Sequence, residues 1–215
     1  MLYIIRHGIT DKNLAGILQG QSDVPLNGQG IRQAEEAARA LDGITFDRVF
    51  SSPLSRAVRT AEIVAPGMEP VIDERLIEMG YGPYEGMDLR NPPEKVLGFF
   101  KDFVNTPAPE GMESLDEVVA RAGAFLEDIR GLEGNILIAT HAIAMKGLLE
   151  YLTPDSGGRY WNKYIGNCAV YTVENRDGSY GIPNEFYGID AKPPVIPDYY
   201  KEDKQDVTPM TLSGK

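Results

Sequence analysis

Two histidines occur in the whole chain, and each follows directly on a short apolar segment. His7 comes after the segment LYIIR, and His141 comes after NILIAT. Short apolar runs of this kind are typical of buried strands. Ligands of open α/β sheets bind beyond the carboxyl ends of the strands. If these two strands are parallel neighbours, the two imidazoles therefore meet in one crevice.

Two arginines are placed to join the histidines in that crevice. Arg6 precedes His7, and Arg56 is predicted to lie in the first turn of a helix that follows another short strand. A guanidinium group can donate two parallel hydrogen bonds to phosphate oxygens, and the free N–H groups of a first helical turn also favour an anion. With one histidine able to attack phosphorus and the other able to donate a proton, the set predicts phosphoryl transfer.

The elements that must position these residues follow the alternation of an α/β layer fold. Asn27 is predicted to cap one helix, Ser52-Pro53 to start a second that ends at about residue 65, and Ser114 to form a capping box with Glu117. A further helix is predicted over 142–152. The predicted strands are 2–5, 46–50, 135–139, 168–173 and 180–187.

Two regions depart from this alternation. Residues 79–111 are rich in Gly and Pro around an apolar stretch, which predicts a lid-like excursion with its own helix. Residues 191–215 are Pro-rich and charged, a composition typical of disorder. We therefore expect a single domain over 1–190, followed by a C-terminal tail. The tail leaves two alternatives open: a homodimer, or a tail that folds back on its own body.

Composition limits the partners. The 215 residues are 42% hydrophobic and 25% charged, as in one globular domain. A net charge of −11 argues against nucleic acid, whose binding requires a basic surface. The single cysteine, Cys168, excludes an intramolecular disulfide and a cysteine-clustered zinc site. Because neither a leader segment nor a membrane-length apolar run is evident, we expect a cytoplasmic protein with no membrane partner.

The order of these residues resembles the signature of the histidine phosphatase superfamily, in its phosphoglycerate-mutase-like branch. The first block is Arg6 to Thr10, with Asn13 three residues on. Further blocks follow in the family's order over about residues 1–175. They are Gln19-Gly20 through Gln33-Ala34, Ser51 through Ala61, Leu76 through Gly86, Glu113-Ser114 with Arg121, and Thr140-His141.

The resemblance implies a three-layer α/β sandwich, with a mostly parallel central sheet and helices on both faces. It implies that His7 forms a phosphohistidine and that Glu78 first protonates the leaving alkoxide and then activates water. We expect neither a metal nor a cofactor, since the adjacent arginines would repel a cation. The catalytic residues implied are Arg6, His7, Arg56, Glu78 and His141, and the expected substrate-binding residues are Arg6, Asn13, Gln19, Gly20, Arg56 and Ala142.

The segment after Glu78, MGYGPYEG, resembles the phosphatase side of the family, because the mutases carry a basic block there. We therefore expect a phosphatase that acts on a small phosphorylated metabolite. Two alternatives stay open: a phosphoglycerate mutase that uses the same residues, and a binding module without activity. Ala142, where the family usually has glycine, is the only support for the second.

Other candidates carry ordinary structural alternatives. Asn13 could stabilise only its own loop, and Gln19 could serve a turn. Arg59, where the family often has glutamine, either adds charge to the pocket or pairs with an acid. We expect Arg90 and Lys146 to be solvated charges rather than ligands of a substrate carboxylate. We expect Phe99, Phe100 and Phe103 to be part of the core.

Overall fold

A computed structural model describes residues 1–188 of the protein. The predicted first strand forms β1 (Leu2–Arg6), which lies near the middle of a six-stranded sheet. The sheet order is β3-β2-β4-β1-β5-β8. Its other strands are β2 (Arg48–Ser51), β3 (Val71–Ile72), β4 (Ile136–Thr140), β5 (Val170–Val173) and β8 (Asn184–Tyr187), and β6 (Asn175–Arg176) pairs with β7 (Ser179–Tyr180) in a separate hairpin. The helices are α1 (Asp11–Ala15), α2 (Gly28–Ala40), α3 (Ser55–Val64), α4 (Glu94–Lys101), α5 (Leu115–Ile129) and α6 (Ala142–Leu152).

The strands β3, β2, β4 and β1 are parallel, and β5 and β8 are antiparallel to their neighbours. The expectation of a mostly parallel sheet is therefore confirmed. In the β1–β4 pair, Arg6 lies opposite Thr140. The backbone N–H of His7 donates to the Thr140 carbonyl at 2.9 Å. Both histidines consequently leave the sheet at the same level.

Alternate residues of β1 enter two separate cores, as the two-residue period of a strand requires. Leu2 and Ile4 pack into the cluster that includes Phe125 of α5 and Leu148 of α6. On the other face, Ile5 joins a cluster with residues of α2 and α3. Helices on both faces complete the three-layer sandwich. No helix within residues 1–188 is both long and apolar enough to cross a membrane.

Most of the predicted helix starts are confirmed. The Asn27 side chain accepts from the N–H of Gly30 at 2.9 Å, and Ser114 forms the capping box with Glu117. The prediction that Ser52 caps α3 is wrong. That helix starts at Ser55, and its capping position, Leu54, makes no side-chain hydrogen bond.

The predicted late strand 180–187 is wrong as one element. It is divided between β7 and β8, and Pro183, which has no N–H for a ladder, lies between them. The excursion at 79–111 carries its own helix, α4, as expected. Val96, Phe99 and Phe103 join a third apolar cluster there. The tail 191–215 lies outside the described residues.

A close backbone contact positions α2 beside the loop that carries His7. A Cβ added at Gly30 would lie 2.1 Å from the Ile9 carbonyl oxygen, and one added at Gly8 would lie 2.4 Å from the Gly30 oxygen. Neither atom belongs to a side chain that could rotate away. Gly28, in the same helix, has only the Arg32 side chain near its Cβ position, at 3.7 Å.

Replacement of Gly30 with alanine should therefore lower the free energy of unfolding by about 1–3 kcal/mol, through forced separation of these backbones. Gly28→Ala, the matched control, should leave it unchanged or raise it by up to ~1 kcal/mol. Urea denaturation of the two variants measures both values. Equal midpoints for both would show that the contact imposes no such constraint.

Candidate active site

The two histidines meet, as the parallel-strand prediction requires. Their ring centroids are 5.1 Å apart, and both side chains are buried. The Nδ1 atom of His7 lies 2.6 Å from the Gly8 carbonyl oxygen. Because a carbonyl only accepts, Nδ1 carries the proton, and Nε2 of the neutral ring keeps its lone pair.

The surroundings of His7 favour the neutral ring. Burial has the largest effect and holds the pKa of His7 well below its ordinary value, and the positive charges of Arg56 and Arg6 lower it further. A histidine with a lowered pKa is a neutral nucleophile at neutral pH. Since the unfolded chain would bind the proton more readily, this group destabilises the fold as pH falls through the unfolded pKa.

His141 stands at the N-terminus of α6, immediately after β4. Its Nε2 atom lies 2.7 Å from the Ser52 hydroxyl, which also accepts from the N–H of Leu54 at 3.3 Å, just before the start of α3. Burial, followed by the nearby His7, lowers the pKa of His141 well below its ordinary value. Its Nδ1 atom is buried with no hydrogen-bond partner among residues 1–188.

The two arginines are anchored by backbone carbonyl oxygens. Arg56 donates to the carbonyls of Gly20 and Ser22, each at 2.7 Å, and Arg6 donates to that of Ile165 at 2.5 Å. Carbonyl oxygens carry no formal charge, so these contacts orient the guanidinium groups without neutralising them. In the described part of the chain, the Nε atoms of both arginines are buried without a hydrogen-bond partner.

Glu78 reaches the same helix end. Its carboxylate is buried and accepts hydrogen bonds from the N–H groups of Met79 at 2.9 Å, Ile143 at 3.1 Å and Ala144 at 3.0 Å. The last two are N–H groups of the first turn of α6, which have no partner within the helix. Glu78 is thereby held beside the turn that follows His141.

A partly buried ion pair supports the loop that carries Glu78. Arg121 pairs with Glu113 at 2.6 Å and also donates to the Ile77 carbonyl at 2.7 Å. Glu113 in turn accepts from the N–H of Gly80 at 2.9 Å. The backbone on both sides of Glu78 is therefore fixed by contacts with Arg121 of α5 and with Glu113, which lies just before that helix.

These side chains surround a cavity of about 160 Å³. Of the nine residues predicted for the site, His141 alone is absent from the cavity wall, and its side chain is fully buried. The wall includes Arg6, His7, Asn13, Gln19, Gly20, Arg56, Glu78 and Ala142. Both arginines, His7 and Glu78 thus line the same cavity.

Asn13 and Gln19 line the cavity and also make local hydrogen bonds. The Asn13 side-chain oxygen accepts from the Thr10 N–H at 3.1 Å, and that of Gln19 accepts from the Thr10 hydroxyl at 2.8 Å. Arg59 pairs with Glu62 at 2.9 Å on an exposed surface, which is the second of its two predicted alternatives. Arg90 pairs with the exposed Asp88, as expected for a surface charge.

Sequence reasoning missed several residues of the cavity wall. Lys146 was expected to be solvated, and this is wrong, because it is 2% exposed and lines the cavity. Its position four residues after Ala142, on the same face of α6, was the available signal. Phe100 and Phe103 are buried as predicted but also form part of the wall, and Asn167 lines it without having been singled out.

No cluster of three or more potential metal-ligating residues occurs among residues 1–188. Metal independence stays a prediction.

A mostly parallel sheet with two buried imidazoles and two guanidinium groups at its carboxyl edge defines an α/β protein with a cluster of basic side chains at that edge. Comparison with known proteins identifies the class more closely. The model of the histidine phosphatase superfamily (branch 1) matches residues 2–183, and the chain belongs to this family.

Individual relatives include both phosphatases and a mutase. The chain is 32% identical to the putative phosphoserine phosphatase 2 of Hydrogenobacter thermophilus, over 80% of this chain and 88% of the relative. It is 31% identical to the probable phosphoglycerate mutase GpmB of Escherichia coli, over 82% and 85%. A solved mutant of the phosphoserine phosphatase of Entamoeba histolytica, in complex with phosphoserine, is 28% identical with a TM-score of 0.73, over 84% and 93%.

Proposed function

We propose that the protein is a phosphomonoester hydrolase that acts on a small phosphorylated metabolite through a phosphohistidine on His7. The observation that carries this proposal is the hydrogen bond from His7 Nδ1 to the Gly8 carbonyl, which leaves Nε2 as a nucleophile beside two arginines. The reaction requires neither a metal nor a cofactor, because the guanidinium groups supply the positive charge that the phosphoryl oxygens need.

In the first step, Nε2 of His7 attacks phosphorus in line with the ester oxygen. The N–P bond forms as the P–O bond breaks, and Glu78 donates its proton to the leaving alkoxide, so that the free alcohol departs. Arg6 and Arg56 stabilise the charge on the phosphoryl oxygens.

In the second step, Glu78 is ionised and accepts a proton from water. The water oxygen bonds to phosphorus as the N–P bond breaks, and the electron pair of the N–P bond returns to Nε2. Inorganic phosphate leaves, and Glu78 is again protonated for the next cycle. Held by three N–H groups, the carboxylate keeps one position for both transfers.

Glu78→Gln should lower kcat on an alkyl phosphate by about 10²–10⁴-fold, because the amide accepts the same backbone hydrogen bonds but transfers no proton. With p-nitrophenyl phosphate, whose leaving group needs no protonation, the rate of phosphohistidine formation should fall much less. Single-turnover kinetics with both esters measures this. Equal losses for the two esters would show that Glu78 is not the acid.

A mutase is the second candidate, favoured by the likeness to the probable phosphoglycerate mutase. A mutase must return the phosphoryl group to substrate before water removes it. Assays with 3-phosphoglycerate and a panel of phosphomonoesters separate the two functions. We expect release of inorganic phosphate without a bisphosphate primer. Primer-dependent interconversion of 2- and 3-phosphoglycerate would instead identify a mutase, and ligand binding without either reaction would identify a binding module.

A further inference from the structure

Lys146 is a buried cation on the wall of the candidate active site. Its side chain is 2% exposed and lines the same cavity as His7 and Arg6. The ammonium donates to the Trp161 carbonyl at 2.7 Å and lies 5.2 Å from the centre of the Phe103 ring. These contacts fix the end of a long side chain, which a solvated lysine would leave mobile.

The position of Lys146 on α6 sets its distance from the phosphate end of the cavity. Ala142, Ile143 and Lys146 all line the wall, and the step of four residues from the first to the last corresponds to a rise of about 6 Å. In a three-carbon phospho-acid, the carboxylate and the phosphate are separated by a comparable length. A ligand held by the arginines would therefore bring a carboxylate near the ammonium.

The charged side chains of the wall favour a ligand with a second anionic group. Three cations, Arg6, Arg56 and Lys146, and one carboxylate, Glu78, line the cavity. When Glu78 is protonated for the first chemical step, these side chains carry three positive charges. A phosphate dianion offsets two of them, and one more negative charge balances the third.

We propose that Lys146 determines specificity by binding a carboxylate of the substrate. The inference rests on the proposed function and assigns its substrate class, phosphomonoesters whose alcohol part carries a carboxylate. The Lys146 ammonium is buried against the Phe103 ring, and in a buried site a contact between opposite charges is strong.

The electrostatics of the ligand-free site agree with this assignment. Burial, and then the charge of Arg6, lower the pKa of Lys146 to about 7, while Glu78 and Glu150 oppose the change. The Glu150 carboxylate accepts from the Tyr160 N–H at 2.5 Å. A substrate carboxylate would favour the protonated ammonium.

Two phosphonates test the proposal without turnover, because their C–P bond has no leaving oxygen. 4-Phosphonobutyrate mimics a three-carbon phospho-acid, and butylphosphonate replaces its carboxylate by a methyl group. Calorimetry should show that the wild-type protein binds the first about 10–100-fold more tightly. Lys146→Met and Lys146→Gln should abolish this preference, and the affinity for butylphosphonate should fall far less than that for 4-phosphonobutyrate. Lys163→Met, at a surface lysine paired with Glu185, is the matched control and should retain the preference.

The outcomes separate the two proposals. Equal binding of both phosphonates by the wild-type protein, or a preference that survives in both Lys146 variants, would overturn the role of Lys146 alone. Loss of both ligands in the two variants would assign Lys146 to the phosphate or to the fold, and would overturn it as well. If neither phosphonate binds the wild-type protein, the phosphate site fails, and the proposed function fails with it.

Discussion

Replacement of His7 with alanine is expected to lower kcat by about 10⁴-fold or more, the scale found when a covalent nucleophile is removed. The fold should survive, because the hydrogen bond of the His7 ring is to its own neighbour, Gly8. Release of inorganic phosphate under saturating substrate measures the first effect, and thermal unfolding measures the second.

The His7→Ala variant should also keep its affinity for inorganic phosphate within a few-fold, since Arg6 and Arg56 remain. The affinity for inorganic phosphate distinguishes a variant that has lost only catalysis from one that has lost the pocket. Substantial residual turnover in a folded variant would rule out covalent catalysis by His7. Loss of phosphate binding would show that the imidazole holds the pocket together rather than reacting in it.

Arg56→Ala is expected to lower kcat/KM by about 10³-fold, by analogy with other arginines that stabilise a transferring phosphoryl group. The same change should reduce the free energy of unfolding. It removes the donor to the carbonyls of Gly20 and Ser22, so the loop before α2 loses an anchor to α3. Steady-state kinetics and urea denaturation measure the two effects separately.

Arg59 provides the matched control, because it lies on the same helix three residues later. It is exposed and paired only with Glu62 in its described contacts. Arg59→Ala should change kcat/KM by less than about 2-fold, since surface ion pairs contribute little. Similar losses in both variants would contradict a specific contact between Arg56 and the phosphoryl group.

The elements around the site were predictable where local sequence determines them. The apolar runs gave β1 and β4, and the capping residues Asn27 and Ser114 placed α2 and α5, because a strand period and a cap depend on neighbours in the chain. The position of each histidine just beyond its strand was then enough to predict that they meet.

Tertiary contacts account for what sequence reasoning missed. Ser52 has a capping residue type, but its hydroxyl contacts His141, which is 89 positions away. Lysine is a residue type common at protein surfaces, and only the tertiary packing around α6 buries Lys146. Its carbonyl partner, Trp161, and its aromatic partner, Phe103, come from segments that no periodicity connects to α6.

The charge distribution reconciles an acidic protein with an anionic ligand. The net charge is −11, whereas the cavity wall has three cations and one carboxylate. Local charge governs a site, and global charge governs solubility and long-range association. Because the acidic surface repels anions at a distance, higher ionic strength should weaken that repulsion more than the contacts within the pocket.

The central claim is that a phosphoryl group passes through a nitrogen of His7. Rapid quenching at alkaline pH, where phosphohistidine survives, followed by mass spectrometry of the peptide that contains residue 7, tests it directly. The wild-type protein mixed with a slowly turned-over ester should carry a phosphate on His7 that acid removes, and the His7→Ala variant should carry none. A wild-type protein that releases phosphate at full rate while His7 remains unmodified at every quench time would contradict the mechanism.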